Sequence, residues 1–548
     1  MYPSVNVKML FHLGIMSCLL FCCYGVKFSC DELFYRAYCR GCNHFMKNSI
    51  LPWSLNCKMK IKIVATKKEN SVISRHIHSV FFEYFGHVIY DGIWVGRESS
   101  IPNIDGLRKD VVEGCRELGI GAMRWPGGCC ADHYHWKNGI GKERPARLHP
   151  IADPANSVWR HDFGTDEFLH FCELTGADPV LTVNTATGSP EEFLDWYEYV
   201  NAPKETKYGA MRAENGHPEP YNVTYWGIGN TDENVWHIDY NNPVAYAQTY
   251  LKYQTVLRED RKHLYFIGLG LSMRHGLPGW TGKALDHITR NQRALPPDAL
   301  SVHHYLGGAK QGGTLCGDAI DFDENGYYSL LNLLERYQYD IDLHRMTIRE
   351  HAGPNAKTKI CFDEWGTWHP EATFANNQNQ RQTLRDAIFA ALALHIFYRN
   401  CDIVEFAMET QLCNLLQSLF ETSGEKCYKT PTFYAMKLLK EHLGQRLATV
   451  LPDDADDDLD GIASISEDGQ NLTISLVNKH LHDAKSIALE LPQGEWKLAK
   501  SDIITADDIH SLNSFDKPDV VCDRPFDVSD IQQVELPPHS IVRIMFAR

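Results

Sequence analysis

Basic residues are in deficit. The chain holds 54 Lys and Arg against 70 Asp and Glu, a formal net charge of −16. A general nucleic-acid binder would show a basic face, so that class is excluded. Cys-x-x-Cys-type paired spacing is lacking beyond residue 58, where ten cysteines are scattered over 490 residues. Thiols spread in this way read as reduced, buried small hydrophobes rather than a disulfide framework. No Gly-x-Gly-x-x-Gly follows the first strand-like run, which removes support for a nucleotide-binding sheet. No Ser/His/Asp or Gly-x-Ser-x-Gly arrangement stands out. Long internal repeats are missing too, so a repeat array is excluded.

What is present first is an anomalous start. Met9 to Val26 is an apolar run behind Lys8, resembling a secretory h-region. It contains His12 and is barely long enough to span a membrane, so no membrane span is expected. Residues 1–58 carry six Lys/Arg against two Asp/Glu, and seven cysteines, without periodicity. Cys39-x-x-Cys42 has no second Cys/His pair at zinc-site spacing. Met59-Lys-Ile-Lys-Ile-Val-Ala then begins a clean alternating strand. Two readings stand. Residues 1–26 are a signal peptide and the protein is secreted, or translation starts at Met59 and the protein is cytoplasmic. The second is favoured, with 1–58 extraneous.

From about residue 78 to 440, strand-like runs alternate with amphipathic ones. The strand candidates are Val80–Phe85, Ala122–Trp125, Pro179–Asn184, Val223–Gly229, Tyr265–Leu271, Leu300–Tyr305, Lys359–Glu364 and Ile403–Met408. Between them Gly106–Leu118, Thr165–Leu174, Pro243–Arg258, Tyr327–Arg345 and Gln380–Tyr398 repeat apolar residues at three- and four-residue spacing. Eight such units predict an α/β fold, a (β/α)8 barrel, with an open doubly wound sheet as the alternative. Residues 441–548 change to short alternating runs separated by turn residues, which predicts a C-terminal β-sandwich. The strand in 59–77 has no barrel partner and is expected to join that sandwich.

Barrel chemistry sits at the C-terminal strand ends. Here those ends carry Glu83, then Arg124-Trp125-Pro126-Gly127-Gly128-Cys129, Asn230, His303-His304-Tyr305, Asp363-Glu364-Trp365, and Glu409 with Gln411. They suggest one polar pocket. Strand alternation sets Asp363 opposite Glu364, so Asp363 reads as structural. Glu364, at a strand end and flanked by Trp, is the candidate nucleophile. A carboxylate suits glycosyl transfer because it can trap an oxocarbenium-like centre. A retaining enzyme needs a second carboxyl about 5–5.5 Å away. Aromatics are 11% of the chain, with 12 Trp. Core packing accounts for most of them, and sugar stacking for a few.

The sequence resembles glycoside hydrolase family 51, the α-L-arabinofuranosidases, from residue 78 to the end. The carriers are Phe82-Glu83-Tyr84-Phe85-Gly86-His87, Arg124-Trp125-Pro126-Gly127-Gly128-Cys129, Tyr134-His135-Trp136-Lys137-Asn138-Gly139, Phe163-Gly164-Thr165-Asp166-Glu167-Phe168, Trp226-Gly227-Ile228-Gly229-Asn230, His303-His304-Tyr305, Asp363-Glu364-Trp365-Gly366-Thr367-Trp368 and Asn513-Ser514-Phe515-Asp516-Lys517. The resemblance implies a TIM barrel with a β-sandwich, jelly-roll-like, completed by the N-terminal strand. It implies retaining hydrolysis of terminal arabinofuranosyl residues from hemicellulose or pectin oligosaccharides. It makes Glu364 the nucleophile and Glu83, Cys129, Asn230, His303, Tyr305 and Gln411 the sugar-pocket wall. It implies no cofactor and a homo-oligomer, often a hexamer. His133 and His135, with His303 and His304, could suggest a metal by spacing; the resemblance makes them loop and pocket residues, and no metal is expected.

One position departs from the family pattern. The family's acid/base glutamate follows Gly-Asn, whereas here Gly229-Asn230 is followed by Thr231-Asp232-Glu233-Asn234. A threonine hydroxyl cannot protonate a leaving group near neutral pH. Three explanations stand open. A two-residue insertion slides Glu233 into the role, or Asp232 or Glu233 reaches in from the loop, or the acid/base is lost. The last would leave an impaired enzyme or a disabled carbohydrate-binding protein; a related barrel glycosidase acting on another sugar is a further alternative.

Overall fold

The computed structural model describes residues 59–65, 71–149, 158–230, 242–257, 259–272, 279–290, 294–307 and 313–548. Residues 1–58, with the signal-like and Cys-x-x-Cys readings, lie outside them. Strand β1 is Met59–Val64. Strands β2 (Ser79–Phe81), β3 (Ala122–Trp125), β4 (Asp178–Val183), β5 (Tyr225–Ile228), β6 (Tyr265–Leu269), β7 (Ala299–Leu306), β8 (Lys359–Thr367) and β9 (Val404–Thr410) close into a barrel. All pairs along it are parallel, and β9 closes on β2. The eight expected strands therefore form the closed barrel, not the open sheet. Most bounds shift by one to three residues. The largest shift is at β2, which ends at Phe81, so Glu83 sits two residues beyond the strand.

Alternation explains the barrel's interior. Phe81, Ala122, Val180, Ile267, Ala299, Cys361, Phe406 and Met408 form one buried apolar floor, with Tyr225 and Tyr265 against it. The next inward positions toward the strand ends are polar: Arg124, Thr182, Ser301 and Asp363. The floor is thus sealed by small and aromatic side chains, and the chemistry is confined to the layer above.

Helices cover the outside: α1 (Lys109–Leu118), α2 (Thr165–Thr175), α3 (Pro190–Asn201), α4 (Lys207–Glu214), α5 (Pro243–Val256), α6 (Trp280–Thr289), α7 (Glu324–Asn332), α8 (Glu335–His351), α9 (Leu384–Arg399) and α10 (Pro431–Leu439). Their ends follow local rules. Ser189 and Asn242 accept from backbone N–H groups of the first turns of α3 and α5, each with proline in the first turn. Gly119 and Gly176 close α1 and α2 in the left-handed region. The single helix expected over Tyr327–Arg345 is two, α7 and α8, separated by Leu333 and Leu334.

Apart from three short two-stranded pairs (Asn103–Ile104 with Leu107–Arg108, Arg147–Leu148 with Val158–Trp159, Phe420–Ser423 with Lys426–Lys429), the other strands build a C-terminal sheet with β1: β10 (Arg446–Pro452), β11 (Leu459–Ile465), β12 (Asn471–Asn478), β13 (Lys485–Glu490), β14 (Lys497–Ile504), β15 (Arg524–Pro525), β16 (Val534–Leu536) and β17 (Ser540–Ala547). Their order is β15-β14-β17-β12-β11-β10-β1-β13-β16. Strand β1 lies between β10, antiparallel, and β13, parallel, so the N-terminal strand completes this sheet as expected. Strand β10 changes partners midway. Arg446–Ala448 pairs with β11, and Thr449–Pro452 with β1. The sheet thereby doubles over, and Ile61, Ile63, Leu472, Ile474, Ile487, Val534, Val542 and Ile544 share one core, a sandwich. Helix α9 packs between barrel and sandwich, touching β9 on one side and β11, β12 and β17 on the other.

Strand β9 buries an acid outside the catalytic layer. Glu409 pairs with Trp365 across β8 and is fully buried. Burial pushes its carboxyl well above the usual range, only partly offset by the Thr410 backbone N–H. An acid whose folded pKa exceeds its unfolded value gains protons on folding between the two. Stability then falls as pH rises across that interval, by about 1.4 kcal/mol per pH unit. Glu409→Gln removes the dependence. In urea melts its stability relative to wild type rises from about pH 5 to about pH 7. Parallel pH slopes for the two proteins would show an ionised Glu409.

Candidate active site

The centre of the polar layer is Arg124 on β3. It is buried and stacks over the Phe81 ring at 4.6 Å. Its donors fan out across the barrel mouth. Nη1 donates to Glu364 Oε1 at 2.9 Å, and Nη2 to Asn230 Oδ1 at 2.5 Å. Nε donates to Thr182 Oγ1 at 3.2 Å and faces Asp363 Oδ2 at 3.3 Å. A planar guanidinium can bind several strands at once in this way; a lysine cannot.

Glu364 is held at both oxygens. Oε1 takes Arg124, while Oε2 accepts from the Tyr305 hydroxyl at 2.8 Å and faces His303 Nδ1 at 3.3 Å. Its residual exposure of 8% leaves a narrow opening to the carboxylate. Burial, then the Glu364 charge, keeps the Tyr305 phenol well above its ordinary pKa, so it remains a donor.

Asp363 does not stand opposite Glu364 as strict alternation requires. Register shifts fall between Ser301 and His303 on the β7 side and between Phe362 and Trp365 on the β9 side. This irregularity turns Glu364 inward beside Asp363, and both carboxylates meet one guanidinium. Burial raises the Asp363 pKa, but Arg124, His303 and Ser301 outweigh it and hold the carboxyl below its usual range. Trp365 resumes the outward direction and packs edge-on against Phe397 of α9.

Glu83 is the second carboxyl at the mouth. Its Oε2 accepts from the Cys130 backbone N–H at 3.2 Å, and its Oε1 from Gln411 Nε2 at 3.3 Å. The Glu83 backbone N–H donates in turn to Gln411 Oε1 at 3.1 Å. Burial, and then the charge of Glu364, pushes its pKa up to about 7. Glu83 therefore exchanges its proton near neutral pH while facing the same space as Glu364. Gly127 and Gly128 make room for them. A Cβ at Gly127 would lie 2.9 Å from Glu83 Oε2; one at Gly128 would lie 3.0 Å from that atom and 3.3 Å from Glu364 Oε1. The paired glycines are a steric requirement of the two carboxyls. Cys129 follows them, half-buried, at the start of a 3-10 turn.

The structure thus joins Glu83, Asn230, His303, Tyr305, Glu364 and Gln411 in one layer, with Cys129 at its edge. Thr231, Asp232 and Glu233 lie outside the described residues. The four histidines do not converge: His304 Nδ1 meets Asp340 Oδ2 on α8 at 2.6 Å, and His135 pairs with Glu192 on α3. Arg124, at the centre of this layer, stands in the sequence reading only within a strand-end motif and without a role of its own. Its signal was present: a cation inside an apolar strand, immediately before Trp-Pro-Gly-Gly.

Comparison with known proteins agrees with this geometry. The profile of the α-L-arabinofuranosidase 1 domain matches residues 115–306, and that of the α-L-arabinofuranosidase C-terminal domain matches 363–540. An intracellular exo-α-L-arabinofuranosidase of Bacteroides ovatus is 32% identical over 495 residues, covering 86% of this chain and 93% of that protein. The chain belongs to glycoside hydrolase family 51. Two solved family 51 structures superpose over nearly their whole length. The arabinofuranosidase of Xanthomonas axonopodis pv. citri has a TM-score of 0.79 at 29% identity, covering 90% of this chain and 100% of that one. That of Thermotoga petrophila has 0.75 at 28%, covering 89% and 99%. Among the described residues no helix of this family 51 chain is long and apolar enough to cross a membrane.

Proposed function

We propose that the chain is a retaining, exo-acting α-L-arabinofuranosidase. The observation that carries this reading is the Glu364 carboxylate, gripped at both oxygens by Arg124 and Tyr305 at the barrel mouth. Donors fixed in that way hold a nucleophile in line without costing reorganisation during reaction. Glu364 attacks the anomeric carbon as the glycosidic bond breaks, and the leaving oxygen takes a proton from Glu233. Water, deprotonated by Glu233, then cleaves the glycosyl-enzyme ester and restores Glu364. Asn230, Glu83, Cys129, His303, Tyr305 and Gln411 form the wall around a terminal furanose. Glu83, with its pKa near 7, serves there as a hydrogen-bond donor to a sugar oxygen.

The substrate is an arabinose-containing hemicellulose or pectin oligosaccharide. The site of action is inside the cell; the name of the Bacteroides relative says the same of that protein, and the free thiols found throughout the described residues fit a reducing compartment. The assembly is a homo-hexamer. The decisive assay follows turnover of an aryl α-L-arabinofuranoside beside an arabinoxylan oligosaccharide, with the anomer of the first-formed arabinose read by NMR. Both substrates are cleaved, and the α-anomer appears first. Arabinose binding without turnover of either would replace the hydrolase reading with that of a binding protein, and a β-anomer would remove the covalent intermediate.

A further inference from the structure

Asp363 lies beneath the mouth of the site. It is 2% exposed and precedes the nucleophile, one step deeper in the barrel. Yet three groups converge on it. Its Oδ1 accepts from Ser301 Oγ at 2.7 Å and lies 3.3 Å from His303 Nε2. Its Oδ2 lies 3.3 Å from Arg124 Nε. Ser301 Oγ is also 3.1 Å from His303 Nε2, so the imidazole's lower nitrogen sits between a carboxylate and a hydroxyl.

This arrangement has a geometric consequence at the other end of the ring. An imidazole is rigid, and its two nitrogens point in different directions. Fixing Nε2 on Asp363 leaves Nδ1 no choice but Glu364 Oε2, 3.3 Å away. Any proton on Nδ1 then lies between His303 and the nucleophile. We infer that Asp363 is a positioning residue: with Ser301 it locks the His303 ring so that Nδ1 addresses the oxygen of Glu364 that Tyr305 also holds. The inference rests on Glu364 being the nucleophile. A one-residue irregularity in β8 is what makes it possible, because without it Asp363 and Glu364 could not share one histidine.

The consequence is a coupling between neighbours in sequence that act through a third residue. Asp363→Asn and His303→Gln each lower kcat on an aryl α-L-arabinofuranoside by about 10²-fold; KM stays within about threefold in Asp363→Asn, where orientation is lost rather than sugar binding, and rises further in His303→Gln, which also removes part of the pocket wall. The double variant still loses about 10²-fold. Independent roles would instead multiply to about 10⁴-fold. Ser301→Ala keeps both charges and lowers kcat by about tenfold, and it carries the test should Asp363→Asn fail to fold.

A readout independent of turnover completes the test. In protein labelled with ¹⁵N-histidine, the His303 Nε2–H gives a slowly exchanging resonance that Asp363→Asn removes and Ser301→Ala shifts. A normal kcat in folded Asp363→Asn, or multiplicative losses in the double variant, overturns the inference while leaving the hydrolase reading intact. An inactive wild type with the resonance intact does the reverse.

Discussion

Glu364→Ala lowers kcat/KM on an aryl α-L-arabinofuranoside by about 10⁴-fold or more while leaving the protein folded. An aryl leaving group needs little protonation, so this substrate isolates the nucleophile's contribution. The loss is large because no other described carboxylate at the mouth is held by Arg124 and Tyr305 as Glu364 is. Asp363 is spent on Arg124 and Ser301 below, and Glu83 is tied to the Cys130 backbone and Gln411 with its pKa raised to about 7. The fold tolerates the change because Arg124 keeps Asp363 as its counter-charge and is not left as a buried unpaired cation. Alanine also vacates space beside the anomeric carbon. Azide in the medium fills it, attacks from the same face, and yields an arabinosyl azide of inverted configuration with partial recovery of rate. A variant within tenfold of wild type, or a mechanism-based label recovered on another residue, moves the nucleophile elsewhere.

Most of the barrel was legible because its signals are local. Each strand is a short apolar run ending in polar residues, and the flanking helices alternate at helical spacing. The candidate nucleophile stood out for the same reason: Glu364 follows such an apolar run. Its environment did not. A rule of strict alternation parts Asp363 from Glu364, and only the β8 register shifts bring them together. Those shifts depend on both neighbouring strands, which no window along one strand can register.

Arg124 was hidden by a similar non-local cause. A buried arginine in a strand is costly unless several acceptors from other strands meet it, and those acceptors lie 58 to 240 residues away. In the sandwich, β10 escaped notice because it changes partners midway, which breaks its alternation. Strand β14 escaped because its first half is exposed and reads as polar. Helix α9 is buried on nearly every face, since the sandwich covers the side that solvent would otherwise wet. Its apolar residues, Ala387-Ile388-Phe389-Ala390-Ala391-Leu392-Ala393-Leu394, run without a polar stripe.

Glu233→Ala separates substrates by their leaving groups. Hydrolysis of an arabinoxylan oligosaccharide falls by about 10²–10⁴-fold, the usual worth of general acid catalysis. Cleavage of an activated aryl arabinofuranoside falls much less in its first step, since the phenolate leaves unaided. The glycosyl-enzyme on Glu364 then accumulates, because its hydrolysis has lost the base, and a burst of phenol precedes a slow steady state. Thr231→Ala leaves both substrates unchanged, since its hydroxyl transfers no proton near neutral pH. Asp232→Asn discriminates the remaining possibility. If it reproduces the leaving-group split while Glu233→Ala does not, the acid/base is Asp232, and Thr231-Asp232 is not an insertion ahead of the catalytic acid.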